Sequence, residues 1–573
     1  MAEELARDYY SNQPMELNPA MISADSTANS RSRSLPAKKD TMRTPAISLL
    51  LACLLSGHAA EPLIIHEWGT FTSLQDEQGR TIGGLNSDEE HLPEFVHDLH
   101  PIPIGSSHVL PPTGFSKGVT VGNPTVTMRL ETPVIYVHLP PGQTSATFDL
   151  TAEFHGGFLS QFYPMAQASV NRRPLRWQNV TRTHTVEGKT TTYTVRELQV
   201  QNPGVKGTAW QRWEAPTLTA ATSSTLTWRN VHVGGLDAAP TTTSPVWLAP
   251  RAVDAANLSV NGEHERYLFY RGLAHLDAPL VAKRSADGRS LRVTPRLPDL
   301  DPSTVPQLWL ADLRGDGTAA FHTVDAAIHH LRSLDEPAFS DIPATFTAND
   351  YSAERLATLR QELHAALVAD GLFADEAHAL LNTWEASYFK APGQRLFFLV
   401  PKTWTDRVLP LTLSTPATIT RAMVGRIELV SPTQRQALTR ITTGPVSTTA
   451  WFNLFTHNHI GYYADKVQYI ERPQREKILS RLYAGETDIY RELQVAVPAD
   501  YAAYLSLGRF RDALLWDTQR RTPDVELAQF LRTYVVTQPF FMTDWQKALL
   551  ADASHPASNA PWDLEWSIVE SIP

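Results

Sequence analysis

Residues that can bind a cation are concentrated in one short segment of the sequence, Glu61–Leu110. The segment contains five histidines and nine carboxylates but a single base, Arg80, so its local charge is −8, most of the −10 of the whole chain. Imidazole and carboxylate groups are the side chains that ligate divalent metals such as zinc. This segment is therefore the first place to expect a metal site.

The candidate ligands within it are His66, Asp88, His91 and His97. In this hypothesis they hold a divalent metal such as zinc, and Glu67 is a general base beside a metal-bound water. Arg129 and Glu131, in a later strand, complete the catalytic candidates. The pattern favours a metal-assisted hydrolase, in which the ring nitrogens of His66 and of one of the two later candidate histidines converge within about 4–5 Å.

Strand geometry favours a competing interpretation of Glu67. If Leu63–Ser73 is a strand, His66 and Glu67 point to opposite faces and cannot both ligate one ion without a bulge. Apolar residues on both faces predict a central strand that is covered on both sides. In this alternative Glu67 is a buried carboxylate paired with a strand arginine such as Arg129, and the other histidines lie in surface loops.

Residues 42–60 predict a secretory signal peptide. Met42-Arg43 supplies a start and a positive charge, Ala46–Leu55 is a short apolar core, and small residues follow it. We therefore expect a periplasmic or secreted protein. A lipoprotein anchor at Cys53 is disfavoured because the apolar run continues beyond the cysteine. Residues 1–41 are polar and unpatterned, which indicates a disordered tail or a misassigned start.

Four short runs carry a resemblance to known sequences. The most distinctive is His66–Thr72, which reads His-Glu-Trp-Gly-Thr-Phe-Thr, and the weaker ones are Met128–Tyr136, Phe398–Pro401 and Gly508–Phe510. In these runs the chain resembles uncharacterised exported bacterial proteins whose mature chains begin with the same run. The resemblance implies export, but it implies no activity and no catalytic residues.

Composition narrows the classes of partner. The only cysteine is Cys53, so a chain cut after the signal has no disulfide and no zinc-thiolate site. The net charge of −10 argues against nucleic acid, which requires clustered Lys and Arg. The sequence has no second long apolar run, so we expect no integral membrane segment in the mature chain. A small molecule or a glycan fits this composition, and the oligomeric state stays open.

The predicted fold is α+β with several domains. Between residues 61 and 320, short runs rich in Val, Thr, Tyr and Phe indicate an all-β sandwich or barrel-like domain, with Thr125–His138 the clearest strand. Residues 321–430 are expected to be mixed α/β, and residues 431–573 mainly helical. Leucines at helical spacing predict a helix ended by Asp370-Gly371.

Two other classes of function are compatible with this pattern. Fourteen tryptophans, with Trp210 and Trp213 three residues apart, are typical of a non-catalytic β-rich module that binds a glycan or an envelope component. A scaffold protein could instead dock a partner on its helical half. A hydrolase requires a cleft with converging histidines and carboxylates, a binding module requires a shallow aromatic groove, and a scaffold requires neither.

Overall fold

The structure of the protein, a computed structural model, describes most of the chain between Pro62 and Val535. The described ranges are 62–86, 92–99, 115–120, 122–186, 189–202, 209–235, 238–296, 305, 307–325, 339–444, 499–531 and 535. Internal contacts divide the chain into Met1–Ala59 and Ala60–Pro573. The expected signal peptide and the residues before it lie outside the described residues.

Strands make up most of the regular structure in the first half of the chain. The described strands up to residue 233 are β1 (Leu63–Gln75), β2 (His97–Asp98), β3 (Phe115–Ser116), β4 (Val119–Thr120), β5 (Met128–His138), β6 (Ala146–His155), β7 (Gly157–Tyr163), β8 (Gln167–Val170), β9 (Arg173–Val186), β10 (Lys189–Asn202), β11 (Ala209–Arg212) and β12 (Ser223–Val233). The later strands are β13 (Leu258–Val260), β14 (Glu263–Glu265), β15 (Leu268–Ala274), β16 (Leu280–Arg284), β17 (Ser290–Pro295), β18 (Gln307–Leu313), β19 (Ala319–Asp325), β20 (Phe339–Pro343), β21 (Gly393–Leu399), β22 (Leu411–Leu413) and β23 (Ala417–Leu429).

Helices are concentrated in the C-terminal part, which confirms the mixed α/β character expected from the sequence. The described α-helices are α1 (Pro245–Arg251), α2 (Ala353–Ala369), α3 (Ala374–Thr383), α4 (Lys402–Val408), α5 (Pro432–Thr443), α6 (Ala499–Ser506), α7 (Arg511–Arg521) and α8 (Val525–Phe530). A 3-10 turn at Ala348–Asp350 and a π-helical turn at Ala386–Lys390 accompany them. Within the described ranges, none of the helices has the length and apolar character needed to cross a membrane.

Helix α1 departs from the sequence expectation, because it lies inside the region predicted to be all-β. It is only seven residues long and begins at Pro245. A proline suits the first turn of a helix, where its missing N–H has no partner to lose. Two helical turns are too short to produce a recognisable apolar periodicity, so the local pattern does not reveal this helix.

A nine-stranded sheet positions the polar groups discussed below. Its order is β19-β18-β21-β23-β1-β5-β15-β7-β2. Strand β1 lies near its centre, parallel to β23 and antiparallel to β5. Nearly every residue of β1 is buried, as expected for a strand with apolar residues on both faces. The sheet combines strands from both halves of the chain, and the boundary expected near residue 320 falls inside β19.

Different layers cover the two faces of this sheet. One face shares a buried apolar cluster with a second sheet of order β11-β10-β9-β8-β12-β13-β14, in which β6 pairs with β12 and β22. The ring centroids of Trp228 and Tyr270 lie 6.3 Å apart in that cluster. The other face packs against α1, α2 and α3 through a separate cluster that includes Trp68, Trp247 and Leu363. Small sheets of β16-β17-β20 and β3-β4 lie beside these layers.

The connection between α2 and α3 brings a helix terminus to the end of β1. Ser352 caps the N-terminus of helix α2, and its hydroxyl accepts a hydrogen bond from the Arg355 backbone N–H at 3.1 Å. It ends at Ala369, and Gly371 follows with a φ of +112°, a conformation that favours glycine. This agrees with the helix and the stop signal predicted from the sequence. Phe373 then precedes the first turn of α3.

Candidate metal centre

The alternation of β1 separates His66 and Glu67 onto opposite faces of the nine-stranded sheet. His66 contacts Glu376 of α3, on the helix-covered face. Glu67 accepts hydrogen bonds from the hydroxyl of Tyr270 and from Nε of Arg421, the latter at 2.5 Å. Adjacent residues of a strand cannot reach one ion from two faces. The geometry therefore gives no support to Glu67 as a general base beside a metal held by His66.

Two histidines and one carboxylate converge at the His66 end of β1. His66 Nδ1 lies 2.7 Å from Glu376 Oε2, and His138 Nε2 lies 2.9 Å from Glu376 Oε1. One potential ligand atom from each of these residues lies within 4.8 Å of the other two. Among the described residues, this is the one group in which three or more candidate ligand atoms lie this close together. We call these three residues the His-Glu site.

Strand pairing explains how the two histidines meet. Strands β1 and β5 are antiparallel, with Ile64 opposite His138 and His66 opposite Tyr136. His66 and His138 are therefore diagonal neighbours on one face of the sheet, close enough for side-chain contact. Their ring centroids lie 5.1 Å apart. The sheet thus holds both imidazoles on rigid backbone.

The carboxylate comes from the first turn of α3. The backbone N–H of Phe373 donates a hydrogen bond to Glu376 Oε2 at 2.8 Å, which satisfies one of the free donors at the helix terminus. The Phe373 ring packs against both imidazoles, with centroid distances of 4.6 Å to His66 and 4.8 Å to His138. The position of Glu376 is consequently fixed by the helix, by the capping contact and by the two histidines.

The electrostatics of the His-Glu site keep the carboxyl group ionised. Burial of Glu376 raises its pKa, but hydrogen bonds from His138 and His66 outweigh burial and hold the pKa below its ordinary value. Burial, together with the charges of Glu376 and Asp375, raises the pKa of the nearby Tyr136 hydroxyl, which stays neutral. The site therefore presents an anionic oxygen donor and two imidazoles.

This donor set fits a divalent metal ion. Two histidines with one glutamate ligate catalytic zinc and leave the fourth position of a tetrahedral site for water or substrate. In that geometry, ligand atoms about 2.0–2.1 Å from zinc lie roughly 3.3 Å from one another. The two nitrogen–oxygen distances of 2.7 and 2.9 Å would lengthen by about 0.4–0.6 Å to reach it. A hydrogen-bonded triad without a metal is the competing interpretation.

The candidate ligands from the sequence have different positions in the structure. His66 is part of the His-Glu site. His97 lies elsewhere, with Nε2 2.9 Å from Oε1 and 3.0 Å from Oε2 of Glu263, a carboxylate that also accepts a hydrogen bond from the Met165 backbone N–H. The candidates Asp88 and His91 lie outside the described residues. The partners that the structure brings to His66 are His138 and Glu376.

The buried ion pair expected for Glu67 is present, but its arginine is Arg421 rather than Arg129. Parallel pairing of β1 with β23 places Arg421 directly beside Glu67, and Nη1 of Arg421 also contacts Asp406 at 2.9 Å. Arg129 instead lies opposite Thr72 in the antiparallel β1–β5 pair, six residues along β1 from His66. The difference arises because β1 pairs with β23, a strand far along the chain, and no local sequence pattern reveals that pairing.

Arg129 and Glu131 belong to a second polar region, at the Thr72 end of β1. Arg129 Nε lies 2.6 Å from Glu131 Oε1, and Arg426 Nη2 lies 3.5 Å from Glu131 Oε2. Lys117 Nζ and Arg509 Nη2 each lie 3.8 Å from Glu131 Oε1. We call these residues the arginine cluster. Four buried cations thus surround one carboxylate, whose negative charge offsets part of their mutual repulsion.

The charge of the arginine cluster determines the ionisation of Glu131. Burial alone raises the pKa of a carboxyl group. Here the positive charges of Arg129, Lys117, Arg426 and Arg271 outweigh burial and lower the pKa of Glu131 to about 2. The hydroxyl of Thr72 adds a hydrogen bond of 3.2 Å to Glu131 Oε2. Glu131 is therefore a permanent counter-ion rather than a proton carrier near neutral pH.

Sequence reasoning missed two members of the His-Glu site, His138 and Glu376. His138 ends a run that the sequence identifies as a strand, and pairing of that strand with β1 would have brought it to His66. Glu376 lies in the first turn of α3 and has no local signal of its own. The two carboxylate contacts join residues that are 310 and 238 positions apart.

Comparisons with protein-family models, with curated protein sequences and with solved structures find no match for this chain. The geometry of the His-Glu site and the sequence are therefore the basis for a functional proposal.

Proposed function

We propose that this protein is a metal-assisted hydrolase whose divalent cation is held by His66, His138 and Glu376. One observation carries the proposal: two imidazoles and a buried carboxylate place their ligand atoms within 4.8 Å of one another. The lowered pKa of Glu376 supports it, because a metal ligand must be deprotonated. We further propose, from the signal peptide predicted at residues 42–60, that the protein acts in the periplasm or outside the cell.

The three side chains would supply a ligand set with at least one open position. A divalent cation in such a site lowers the pKa of a bound water and polarises a carbonyl or phosphoryl oxygen. In hydrolysis, the water oxygen bonds to the acyl or phosphoryl centre, the bond to the leaving group breaks, and a water proton ends on the leaving group. Zinc suits this chemistry, whereas iron(II) shares the same donor set.

The first experiment counts metal in the full chain. Purified protein is loaded with zinc, freed of excess ion by dialysis and analysed by inductively coupled plasma mass spectrometry. We expect about one zinc per chain in the wild type and almost none in His66→Ala or His138→Ala. His97→Ala is the matched control, since His97 also contacts a glutamate but lies outside the His-Glu site; it should retain the metal.

Two outcomes would overturn the metal site: a wild-type chain that takes up no zinc, iron or cobalt, or a His138→Ala variant that binds as much as the wild type. The hydrolase assignment needs a separate measurement, the rate of p-nitrophenyl acetate hydrolysis before and after chelation. Equal rates for the metal-loaded wild type and for His138→Ala would leave a metal site but remove the hydrolase.

The alternative of an aromatic glycan-binding groove finds less support in the described residues. Trp213 is only 4% exposed and packs against Phe158, with ring centroids 5.6 Å apart. Trp210 is covered by the guanidinium of Arg176, 3.9 Å from its ring centroid. The pair that suggested a groove therefore offers little free aromatic surface.

A further inference from the structure

Phe373 combines solvent exposure with direct contact to the His-Glu site. Its ring packs on the imidazoles of His66 and His138, yet 45% of the residue is exposed. Few large apolar side chains in the described ranges are this accessible. The exposed ones are Leu248, Val368, Phe373 and Val525. Among these four, Phe373 is the only aromatic residue, and its ring contacts both His66 and His138.

The backbone holds this ring in place. Phe373 is the residue that precedes α3, and its N–H is bonded to Glu376, so the ring and the carboxylate belong to one short rigid unit. The imidazoles cover one part of the ring, and 45% of the residue is exposed to solvent. An apolar surface held at the edge of a polar site loses contact with water when a ligand covers it, which favours apolar ligands.

We propose that Phe373 is a specificity-determining residue of the His-Glu site, and that it selects substrates with a flat apolar group, such as an aromatic ring, next to the group that reaches the cation. The inference rests on the proposed metal site. A ligand ring can stack on the exposed part of Phe373, because aromatic pairs prefer offset or edge-to-face contacts at centroid distances of 4.5–7 Å. The substrate class is therefore aromatic acyl or aryl esters and amides rather than small aliphatic ones.

Two hydroxamates test this inference without knowledge of the natural substrate. Acetohydroxamate and benzohydroxamate bind a metal through the same two oxygens and differ only in a methyl or a phenyl group. Each is titrated into the cobalt-loaded full chain and followed by the visible spectrum of the metal. We expect the wild type to bind benzohydroxamate about tenfold more tightly than acetohydroxamate, the size of effect typical of a good aromatic pair.

Substitutions then assign the preference to Phe373. We expect Phe373→Ala to bind one cobalt and to reduce the preference to about twofold or less, and Phe373→Tyr to retain it. Phe373→Leu keeps an apolar group on the imidazoles but has no ring. If the alanine variant loses cobalt, the leucine variant therefore tests whether the preference for benzohydroxamate depends on the Phe373 ring. Val525→Ala, at another exposed apolar residue, should leave both affinities unchanged.

The outcomes separate this inference from the proposed function. A wild type that binds no cobalt removes the metal site itself. A cobalt-loaded wild type with equal affinity for the two hydroxamates overturns only the role of Phe373. A preference that survives in Phe373→Ala or Phe373→Leu also overturns it, because some other surface must then contact the phenyl group.

Discussion

Two carboxylates at opposite ends of β1 are buried to the same extent but have different partners. Glu376, beside His66, and Glu131, beside Thr72, are both 0% exposed, and both have a pKa below the ordinary value. Glu376 contacts two imidazoles, whereas Glu131 contacts lysine and arginine side chains. The two regions therefore share burial and the direction of the pKa shift, and differ in the chemistry around the carboxylate.

That difference determines which region can bind a cation. Guanidinium groups have no acceptor nitrogen and keep their positive charge, so the arginine cluster repels a metal ion. A neutral imidazole, in contrast, offers a nitrogen lone pair that can ligate a metal. A buried carboxylate with a shifted pKa is thus not by itself a sign of a functional site. For this reason the burial and the lowered pKa of Glu131 do not by themselves support the catalytic role expected for Arg129 and Glu131.

The largest expected effect comes from Glu131→Gln. This change keeps the shape of the side chain and removes the negative charge among the buried cations. We expect the free energy of unfolding, measured by urea denaturation, to fall by about 3–5 kcal/mol, as when one partner of a buried ion pair is lost. Zinc content should remain that of the wild type. A loss below about 1 kcal/mol would contradict the view that Glu131 offsets repulsion among the cations of this cluster.

The pH dependence of stability should differ between the wild type and Glu131→Gln. The pKa of Glu131 is about 2 in the folded protein and 4.5 in its ordinary state. The unfolded chain therefore takes up the proton first, so the stabilisation is complete above about pH 4.5 and is lost as the pH falls toward 2. The expected loss is on the order of 3 kcal/mol.

Urea denaturation of both proteins between pH 7 and pH 2 measures this effect. The difference in unfolding free energy between wild type and Glu131→Gln should shrink as the solution is acidified below pH 4.5. A constant difference over the whole range would show that the carboxyl group does not titrate with a lowered pKa.

Glu376→Gln should have the opposite balance of effects. Loss of an anionic ligand is expected to weaken zinc binding at least about 100-fold, the upper range for changes to groups that merely support a ligand. The unfolding free energy of the metal-free protein should change by only about 1–2 kcal/mol, because the amide retains hydrogen bonding. Zinc titration and urea denaturation measure the two effects. Unaltered zinc affinity would remove Glu376 from the site.

The smallest expected effect concerns the connection before α3, the helix that carries Glu376. A Cβ atom at Gly371 would lie 3.0 Å from Cγ2 of Thr420, in a backbone conformation with φ of +112°. We expect Gly371→Ala to lower the unfolding free energy by about 1–2 kcal/mol. Zinc affinity should fall only a few-fold, since the ligands remain. Thermal denaturation compared with Ala365→Gly, an exposed position in α2, separates loop strain from general helix weakening.

The sequence revealed one member of the His-Glu site and the local elements around it. His66 is recognisable because it lies in a segment rich in imidazole and carboxylate. The strand ending at His138 and the helix containing Glu376 are both recognisable from periodicity. What joins them is the register of β1 against β5 and the position of α3 against the sheet, and neither leaves a pattern in a local window.

Long-range pairing also explains the largest differences in the fold. Strand β5 (Met128–His138) and helix α2 (Ala353–Ala369) follow from short-range alternation and spacing, and both were predicted. Pairing of β1 with β23 joins residues 354 positions apart, as between Glu67 and Arg421, and no local pattern reports it. Without that pairing, Arg129 is the natural partner to choose for Glu67.

The parallel pairing of β1 with β23 has a consequence for the way in which the chain reaches its native state. A chain made from its N-terminus completes β1 long before β23 exists, because Leu63 pairs with Ala417. Until then, β1 is an apolar strand with an unsatisfied edge, a species that aggregates readily. Sheets closed by such distant contacts form slowly, since a long loop must close before the contacts stabilise it. Assembly of the His-Glu site must likewise wait until α3 has joined the sheet, because Glu376 lies in α3.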